Sequence, residues 1–248
     1  MVLEIITITK DNHEGLVKTV NSTKELRENF DVEQVIIDSS KKEIQEKNKE
    51  FLNLQKRIKY YFQEPAGISA AFNYGITLSS KQWLWFLNGG DIVHPDLNLK
   101  AFNYIVNNCN ADVIVFQVEY MQSGRVLEHP ELWSLWPPIL SWVPHPSTII
   151  RKEMFEKFGF FDESLKIVMD YEFWIRCFSK KVIVNILSIP IAKFDETGLS
   201  KTSQKDIKAE VNRVLKRYVW LLKKRWFWQL RMLFKAFVIN SKFYRTKN

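Results

Sequence analysis

Cysteine is scarce in this sequence, and its two occurrences do not form a site. Cys109 and Cys177 are the only cysteines among 248 residues, and their spacing fits neither a zinc site nor a redox-active pair. The sequence therefore predicts free thiols in a reducing compartment rather than a disulfide framework. A secretory signal is not indicated either, because residues 1–6, "MVLEII", lack a basic start and a long apolar region.

Charged side chains are missing from residues 132–150. An uncharged stretch of this length raises the question of a transmembrane helix, but four prolines interrupt it and would break a helix. We therefore expect a buried, irregular segment. Its three tryptophans, which either pack in the core or line a groove for an acceptor molecule, are Trp133, Trp136 and Trp142.

Acidic residues are missing beyond Glu210, although basic residues continue to the C-terminus. The net charge of +8 indicates an anionic partner such as a phosphorylated substrate, a membrane surface or nucleic acid. The change in composition predicts two parts, a globular domain over residues 1–205 and a basic, aromatic helical tail over residues 206–248. The tail suits the headgroup layer of an anionic membrane better than a nucleic-acid groove. The alternative is a helix that packs its apolar side on the domain.

Short β-rich runs alternate with amphipathic segments through the first half of the chain. This alternation predicts an α/β fold with a mostly parallel central sheet flanked by helices. The expected strands are residues 3–9, 34–38, 58–63, 83–88 and 112–119. The expected helices are residues 15–30, 41–54, 67–79 and 97–107.

In such a sheet, ligands bind beyond the carboxyl ends of the strands, so the residues that follow each strand are the candidates for chemistry. The fourth expected strand, "WLWFLN", ends in Gly89-Gly90-Asp91. The glycines allow a sharp turn and a close approach of the backbone to a ligand, and a carboxylate placed there can hold a hard divalent cation. The alternative is that Asp91 only closes a turn or caps the following helix.

Five segments occur in an order that resembles the family-2 glycosyltransferases, which are inverting, nucleotide-sugar-dependent enzymes of the GT-A fold. The segments are "IITITKDNHEGLVKTVNS", "VIIDSS", "QEPAGISAAFNYGI", "WLWFLNGGD" and "HPSTIIRKEMFEKFGFFDESLKIVMDYEFWIR". The resemblance spans about residues 3–200. It implies a Rossmann-like domain that transfers a sugar from a nucleoside-diphosphate sugar to a hydroxyl group.

The resemblance also implies which residues bind the donor. The nucleotide-binding end of the first strand corresponds to Thr9, and the acid that contacts the base portion of the nucleotide corresponds to Asp38. The family's Glu-Pro pair corresponds to Glu64 and Pro65, and the asparagine of the next helix corresponds to Asn73.

The family's metal-binding Asp-x-Asp region corresponds to residues 88–91, but it is reduced here. Asn88 replaces the first acid and Gly90 the middle one, so Asp91 is left as the charged ligand for Mn²⁺ or Mg²⁺. Fewer anionic ligands generally bind a cation more weakly. Asn88 remains a candidate donor-binding residue.

The segment "MDYEFWIRC" predicts the start of a helix in the second half of the chain. Glu172 and Arg176 are four residues apart and can form an ion pair, which leaves Asp170 as the freer acid. The resemblance gives Asp170 the role of the base that takes the proton from the acceptor hydroxyl. The alternative is that Asp170 caps the helix. His145 opens the run "HPSTIIRK" and is either a residue of the donor site or a structural histidine.

These observations favour an inverting glycosyltransferase at the inner face of the cytoplasmic membrane, with a glycan or lipid-linked acceptor and a place in surface-polysaccharide or glycan assembly. A degenerate, inactive relative that binds a nucleotide or a partner is the alternative, because two acids of the metal region are missing. A nucleotidyltransferase would need a glycine-rich phosphate loop after the first strand, and "TKDNHEGL" contains none. Nucleic acid is not an expected partner.

Overall fold

The computed structural model describes residues 3–127, 143–197 and 205–220. The strands are β1 (Leu3–Thr9), β2 (Val32–Asp38), β3 (Ile58–Phe62), β4 (Trp83–Phe86), β5 (Ile92–Val93), β6 (Val113–Tyr120), β7 (Val126–Leu127), β8 (Thr148–Arg151) and β9 (Val184–Phe194). The helices are α1 (His13–Ser22), α2 (Lys24–Asn29), α3 (Lys42–Leu52), α4 (Ile68–Leu78), α5 (Leu99–Asn108), α6 (Glu153–Phe158) and α7 (Met169–Phe178), followed by α8 over residues 205–220.

All of the strands belong to one sheet with the order β3-β2-β1-β4-β8-β6-β9-β5, and β7 pairs with β6. Strands β1 to β4 are parallel, as the sequence predicts. Beyond β4 the sheet is mixed, because β8 is antiparallel to both of its neighbours while β6 and β9 are parallel. The α/β class with a helix-flanked sheet is therefore confirmed, and the parallel part is its first half.

The expected elements of the first half are present with small shifts of their ends. One expected helix, residues 15–30, is divided into α1 and α2 at Thr23. The Thr23 hydroxyl is fully buried and lies 2.7 Å from Gln34 Oε1 of β2. This contact between helix and sheet is a tertiary interaction, which hydrophobic periodicity alone does not reveal.

The two faces of β4 belong to two different hydrophobic clusters. Trp83 and Trp85 pack on one face with α5, whereas Leu84 and Phe86 pack on the other with α4, α6 and α7. All four side chains are at most 2% exposed. Burial on both faces explains why this strand is an uninterrupted apolar run.

The helix α8 packs its apolar stripe on the domain. Val214 is buried in the cluster that contains α7, and Ile207, Val211, Leu215 and Tyr218 pack against that cluster. Up to residue 220, the helical tail is thus in contact with the core, while residues 221–248 lie outside the described part of the chain. None of the helices in the described residues is both long enough and apolar enough to span a bilayer.

Candidate functional site

The carboxyl ends of the first three strands are aligned at one edge of the sheet. Thr9 is paired with Asp38, and Asp38 is paired with Phe62 in the parallel register. The segment after β4 continues beside β1, where the Gly89 amide donates to the Ile8 carbonyl at 2.9 Å. The ends of four strands therefore meet at this edge, as the position of a ligand site in an α/β sheet requires.

Thr19 of α1 holds the turn over residues 88–91. Its hydroxyl oxygen accepts a hydrogen bond from the Gly90 amide at 2.9 Å and lies 2.6 Å from the Asp91 carbonyl oxygen. Asn88 is half-buried, and its carbonyl accepts from the Asp91 amide at 3.0 Å. A Cβ atom on Gly89 would lie 3.1 Å from Thr9 Oγ1, so the glycine allows the turn to lie against β1.

Both carboxylate oxygens of Asp91 accept hydrogen bonds from backbone amides. Oδ2 accepts from Asn88 N and Oδ1 from Asp195 N, each at 3.0 Å, and the residue is 1% exposed. Burial raises the pKa of the Asp91 carboxyl to about 7, although the two backbone hydrogen bonds act in the opposite direction. Asp91 therefore joins the end of β4 to the end of β9 and is a buried carboxylate, not an exposed one.

Asp195 is a second acid at this turn that the sequence reasoning missed. It follows β9, is half-buried, and its Oδ2 would lie 2.9 Å from a Cβ atom on Gly90, whose φ of +124° also favours glycine. Its Oδ1 accepts from Gln122 and Thr197 at 2.9 Å each. Burial would raise the pKa of Asp195, but hydrogen bonds from Thr197 and Gln122 bring it below its usual range. An acid immediately after the last strand is the signal that was available.

Asp38 lies at the expected strand end, but its carboxylate faces inward. Its Oδ1 accepts from Ser40 N at 2.8 Å, and its Oδ2 accepts from Asn48 Nδ2 at 2.8 Å and Tyr60 Oη at 3.0 Å. The side chain is fully buried. Asp38 thus holds the loop after β2 through its bond to Ser40. The side chains that line the cleft beside it are those of the following residues, 39–41.

A cleft of about 410 Å³ opens above these strand ends. Its lining includes three lysines, two acids and one aromatic ring, with Phe62 39% exposed. Glu64 is exposed and lines the same cleft, whereas Thr9 is buried and lies against the turn over residues 88–91. The lysines of the lining are Lys10, Lys41 and Lys42. Three lysines beside an exposed ring suit a ligand that combines phosphates with a flat base, and Asp11 and Glu64 leave the lining with a small excess of positive charge.

Asn73 is engaged elsewhere, on the segment between α6 and α7. Its Nδ2 donates to the Phe161 carbonyl at 3.0 Å and to Glu163 Oε1 at 2.9 Å, and its Oδ1 accepts from the Phe161 amide at 2.9 Å. Asn73 is 8% exposed. In the structure Asn73 holds this segment, so its hydrogen-bonding capacity is directed away from the lysine-lined cleft.

His145 lies in an aromatic pocket. Its ring stacks on Phe86 with centroids 4.9 Å apart, and Phe72 and Phe161 contact it edge-on. Neither ring nitrogen has a hydrogen-bond partner among the described residues, and burial lowers the pKa of the imidazole to about 3. His145 is therefore a neutral, buried ring. It shares Phe161 as a neighbour with Asn73, which places these two candidates together.

Asp170 occupies the first turn of α7, as the sequence predicts. The predicted ion pair is present, with Arg176 Nη2 2.9 Å from Glu172 Oε2. The Asp170 carboxylate accepts a hydrogen bond from the Tyr171 amide at 2.8 Å. Asp170 is half-buried. Burial raises the pKa of its carboxyl to about 6, and the backbone hydrogen bonds partly offset this. A carboxylate of this kind is suited to accept a proton near neutral pH.

No group of three or more His, Cys, Asp and Glu side chains placed to hold a metal ion occurs within residues 3–127, 143–197 and 205–220. Asp91 and Asp195 are adjacent at one turn, and two carboxylates together with substrate phosphates and water are a common Mg²⁺ environment. The residues present therefore fit a cation that is shared with a phosphate-bearing ligand. Trp133, Trp136 and Trp142 lie outside the described residues.

The fold resembles that of a solved structure. A crystal structure of S. aureus TarS residues 1–349 superposes with a TM-score of 0.66 and 17% identity, covering 87% of this chain and 64% of that chain. Further structures of the same protein are described as complexes with UDP and with UDP-GlcNAc.

The curated relatives match this chain over only part of their own length. A protein of Rickettsia felis named "Uncharacterized glycosyltransferase" is 25% identical over 183 residues, covering 69% of this chain and 29% of the relative. A Methanocaldococcus jannaschii protein of similar name is 26% identical over 171 residues, covering 64% of this chain and 58% of that protein. The chain thus spans from about three-tenths to under two-thirds of the length of these relatives. Residues 4–181 match the family described as Glycosyl transferase family 2, and the chain belongs to that family.

Proposed function

We propose that the protein transfers a sugar from a nucleoside-diphosphate sugar to a hydroxyl group with inversion at the anomeric carbon. The observation that carries this proposal is the alignment of Thr9, Asp38 and Phe62 beside a lysine-lined cleft. The solved neighbours described with UDP and UDP-GlcNAc support the same class of donor. The acceptor we propose is a glycan or a lipid-linked sugar, used in the assembly of a surface polysaccharide.

Asp170 is the base in this proposal. The acceptor hydroxyl oxygen forms the new bond to the anomeric carbon, while the bond from that carbon to the diphosphate oxygen breaks and the nucleoside diphosphate leaves. The hydroxyl proton passes to Asp170, whose pKa of about 6 leaves it ionised at neutral pH and still basic enough to accept the proton. One carboxylate therefore accounts for the proton that the displacement releases.

In this proposal, the lysines of the cleft and the two acids Asp91 and Asp195 stabilise the negative charge of the leaving group. Lys10, Lys41 and Lys42 line the cleft and offset the negative charge of the diphosphate. Asp91 and Asp195 would hold a divalent cation, Mn²⁺ or Mg²⁺. When bound, such a cation supplies stabilisation of the charge that develops on the departing diphosphate.

An inactive nucleotide-binding relative is the second candidate. The observation that favours it is the engagement of both Asp91 oxygens by backbone amides, together with Asn88 and Gly90 in place of acids. Such a protein would bind the nucleotide through the same cleft, so binding alone does not separate the two candidates and turnover is needed as well.

The basic tail motivates a proposal on location. Residues 223–225, "KKR", lie in the run without acidic residues that begins after Glu210 and extends to the C-terminus. Basic residues near an anionic membrane surface contribute about 1 kcal/mol each. We propose that the full chain binds the cytoplasmic face of a membrane through this run. Co-sedimentation with phosphatidylserine vesicles should fall on the order of a hundredfold in affinity for K223Q/K224Q/R225Q. Equal loss in a control with three exposed domain lysines replaced (Lys42, Lys47 and Lys49) would contradict it.

Calorimetric titration with UDP, GDP and dTDP, each with and without Mn²⁺ or Mg²⁺, tests the donor site. We expect one nucleotide to bind selectively and more tightly with the cation. The bound nucleotide's sugar derivatives are then assayed for release of the nucleoside diphosphate. Binding with no turnover for any sugar would favour the inactive relative, and no binding would remove both candidates.

A further inference from the structure

The polypeptide just before α7 lacks a side-chain cap of its own. Val168 precedes the first helical residue and makes no side-chain hydrogen bond to the helix end. The amides of residues 166–168 precede the helix and have no partner within it, and backbone amides shielded from water need acceptors. In this chain the acceptors come from another element, forty-two residues or more along the sequence.

Glu210 of α8 supplies these acceptors. Its Oε1 accepts from Lys166 N at 2.8 Å, and its Oε2 accepts from Ile167 N at 2.9 Å and Val168 N at 3.2 Å. Glu210 is 7% exposed. Its negative charge also lies near the positive end of the α7 dipole, which is favourable. A single carboxylate thus fixes three successive amides directly before the turn that carries Asp170.

Two more side chains of α8 hold the same region on either side of Asp170. Arg217 Nη1 lies 2.7 Å from Asp162 Oδ2, before the segment that Glu210 holds. Tyr218 Oη donates to Glu172 Oε1 at 2.5 Å, two residues after Asp170. The same face of α8 carries the apolar contacts with the core. α8 therefore contacts the segments on both sides of Asp170 as well as the core.

This arrangement leaves Asp170 available for chemistry. The three amides before α7 are satisfied by Glu210. Among the described residues, the Asp170 carboxylate is contacted by the amide of Tyr171 and by its own amide, and it holds no distant segment. We propose that Glu210 is a positioning residue for Asp170, which sets the direction of the Asp170 carboxylate by fixing residues 166–168. This inference rests on the proposed function, in which Asp170 is the base.

The test compares Glu210→Gln with Asp206→Asn in the full chain. Each variant removes one negative charge from α8, and Asp206 is exposed one turn before Glu210. Glutamine keeps the shape of the side chain but replaces one acceptor oxygen by an NH₂ group, which opposes a backbone amide. Turnover is measured as UDP release from UDP-GlcNAc and UDP-glucose, with transfer to water or to an alkyl glycoside, and with wild type and Asp170→Asn in the same series.

We expect kcat of Glu210→Gln to fall about tenfold or more, because small displacements of a catalytic group have large effects on rate. The KM for the donor should stay within about twofold, since the nucleotide cleft lies on other elements, and Asp206→Asn should match wild type. Hydrogen exchange at the amides of residues 166–168 should become faster only in Glu210→Gln. A purely structural role would lower Tm without this separation of kcat from KM.

Equal kcat in Glu210→Gln and Asp206→Asn, with an active wild type and an inactive Asp170→Asn, would overturn the positioning role and leave the proposed function intact. An inactive wild type would overturn the proposed function and the positioning role with it. If Glu210→Gln does not fold, Glu210→Asp decides. It keeps the charge but withdraws the carboxylate by one methylene from the amides of residues 166–168, and an unchanged kcat in that variant would overturn the inference.

Discussion

Two turns of this protein each carry an acid, and they use it in opposite ways. In the turn after β4, Asp91 gives both of its oxygens to backbone amides and is 1% exposed. At the start of α7, Asp170 is half-buried and its carboxylate is contacted only locally, by the Tyr171 amide and its own, among the described residues. Glu210 from α8 satisfies the amides that precede the helix. An acid whose loop is held by another residue keeps its oxygens free to accept a proton, whereas Asp91, which holds its own turn, can reach a cation only through the lone pairs that its two amide bonds leave.

The largest effect that would test this comparison is expected for Asp170→Asn. Because the amide cannot accept the acceptor's proton, turnover should fall by about 10²- to 10⁴-fold. Nucleotide affinity, measured by calorimetry, should not change, since Asp170 lies on α7 and the cleft lies at the ends of β1 to β3. The matched control is Asp206→Asn, which removes an exposed acid of α8 that makes no contact with the Asp170 turn among the described residues. Turnover near the wild-type level in Asp170→Asn would exclude it as the base.

The turn after β4 is tested by a pair of glycine substitutions. Gly90→Ala adds a Cβ atom 2.9 Å from Asp195 Oδ2 at a φ of +124°, whereas Gly67→Ala, at a φ of +102°, meets no atom within 4 Å. Both carry backbone strain of about 1–3 kcal/mol. Gly90→Ala should lower the free energy of unfolding by a further 1–3 kcal/mol or so, because Asp195 must move.

Urea unfolding of both variants measures that difference. Calorimetry adds a second comparison, because displacement of Asp195 should reduce the enhancement of nucleotide binding by Mn²⁺ in Gly90→Ala only. Equal unfolding free energies and equal cation enhancement in the two variants would show that the contact between Gly90 and Asp195 matters for neither stability nor the proposed cation.

The sequence predicted the acids of both turns but not their different uses. Alternating strands and helices located Thr9, Asp38 and Asp91 at strand ends, because parallel strands place their carboxyl ends at one edge. The sequence also predicted that Glu172 would form an ion pair and that Asp170 would not, because the spacing of residues on one helix determines which of them can pair. These predictions depend on local geometry, which the sequence encodes directly.

The remaining contacts are between residues far apart in the chain. Glu210 reaches residues 166–168, Asp195 reaches Asp91, and Asn73 reaches residues 161–163. No local period predicts which side chain meets which loop, so the partners of Asp91 and Asn73 and the part played by Glu210 required the structure. The mixed second half of the sheet has the same origin, because the antiparallel position of β8 is a matter of tertiary pairing.

The pH dependence of turnover gives a smaller effect at the Asp170 turn. Burial raises the pKa of Asp170 to about 6, so its ionised form is present above that pH and is lost below it. We expect kcat to be constant above about pH 7 and to fall about tenfold per pH unit below 6. Nucleotide affinity measured over the same range separates loss of the base from loss of binding. A kcat profile that stays flat down to pH 5 would contradict a base with this environment.

The smallest effect is expected at Asp38, a third acid, whose carboxylate oxygens accept hydrogen bonds from other residues of the protein. Tyr60→Phe removes the hydroxyl that donates to Asp38 Oδ2 at 3.0 Å, while Asn48 still donates to the same oxygen at 2.8 Å. The free energy of unfolding should therefore fall by only about 0.5–1.5 kcal/mol, with nucleotide affinity unchanged. Tyr61→Phe, on the opposite face of β3, is the control for loss of a hydroxyl from this strand. A large loss of nucleotide affinity in Tyr60→Phe, without loss of stability, would instead mean that Asp38 contacts the ligand and belongs with Asp170 among the acids left for chemistry.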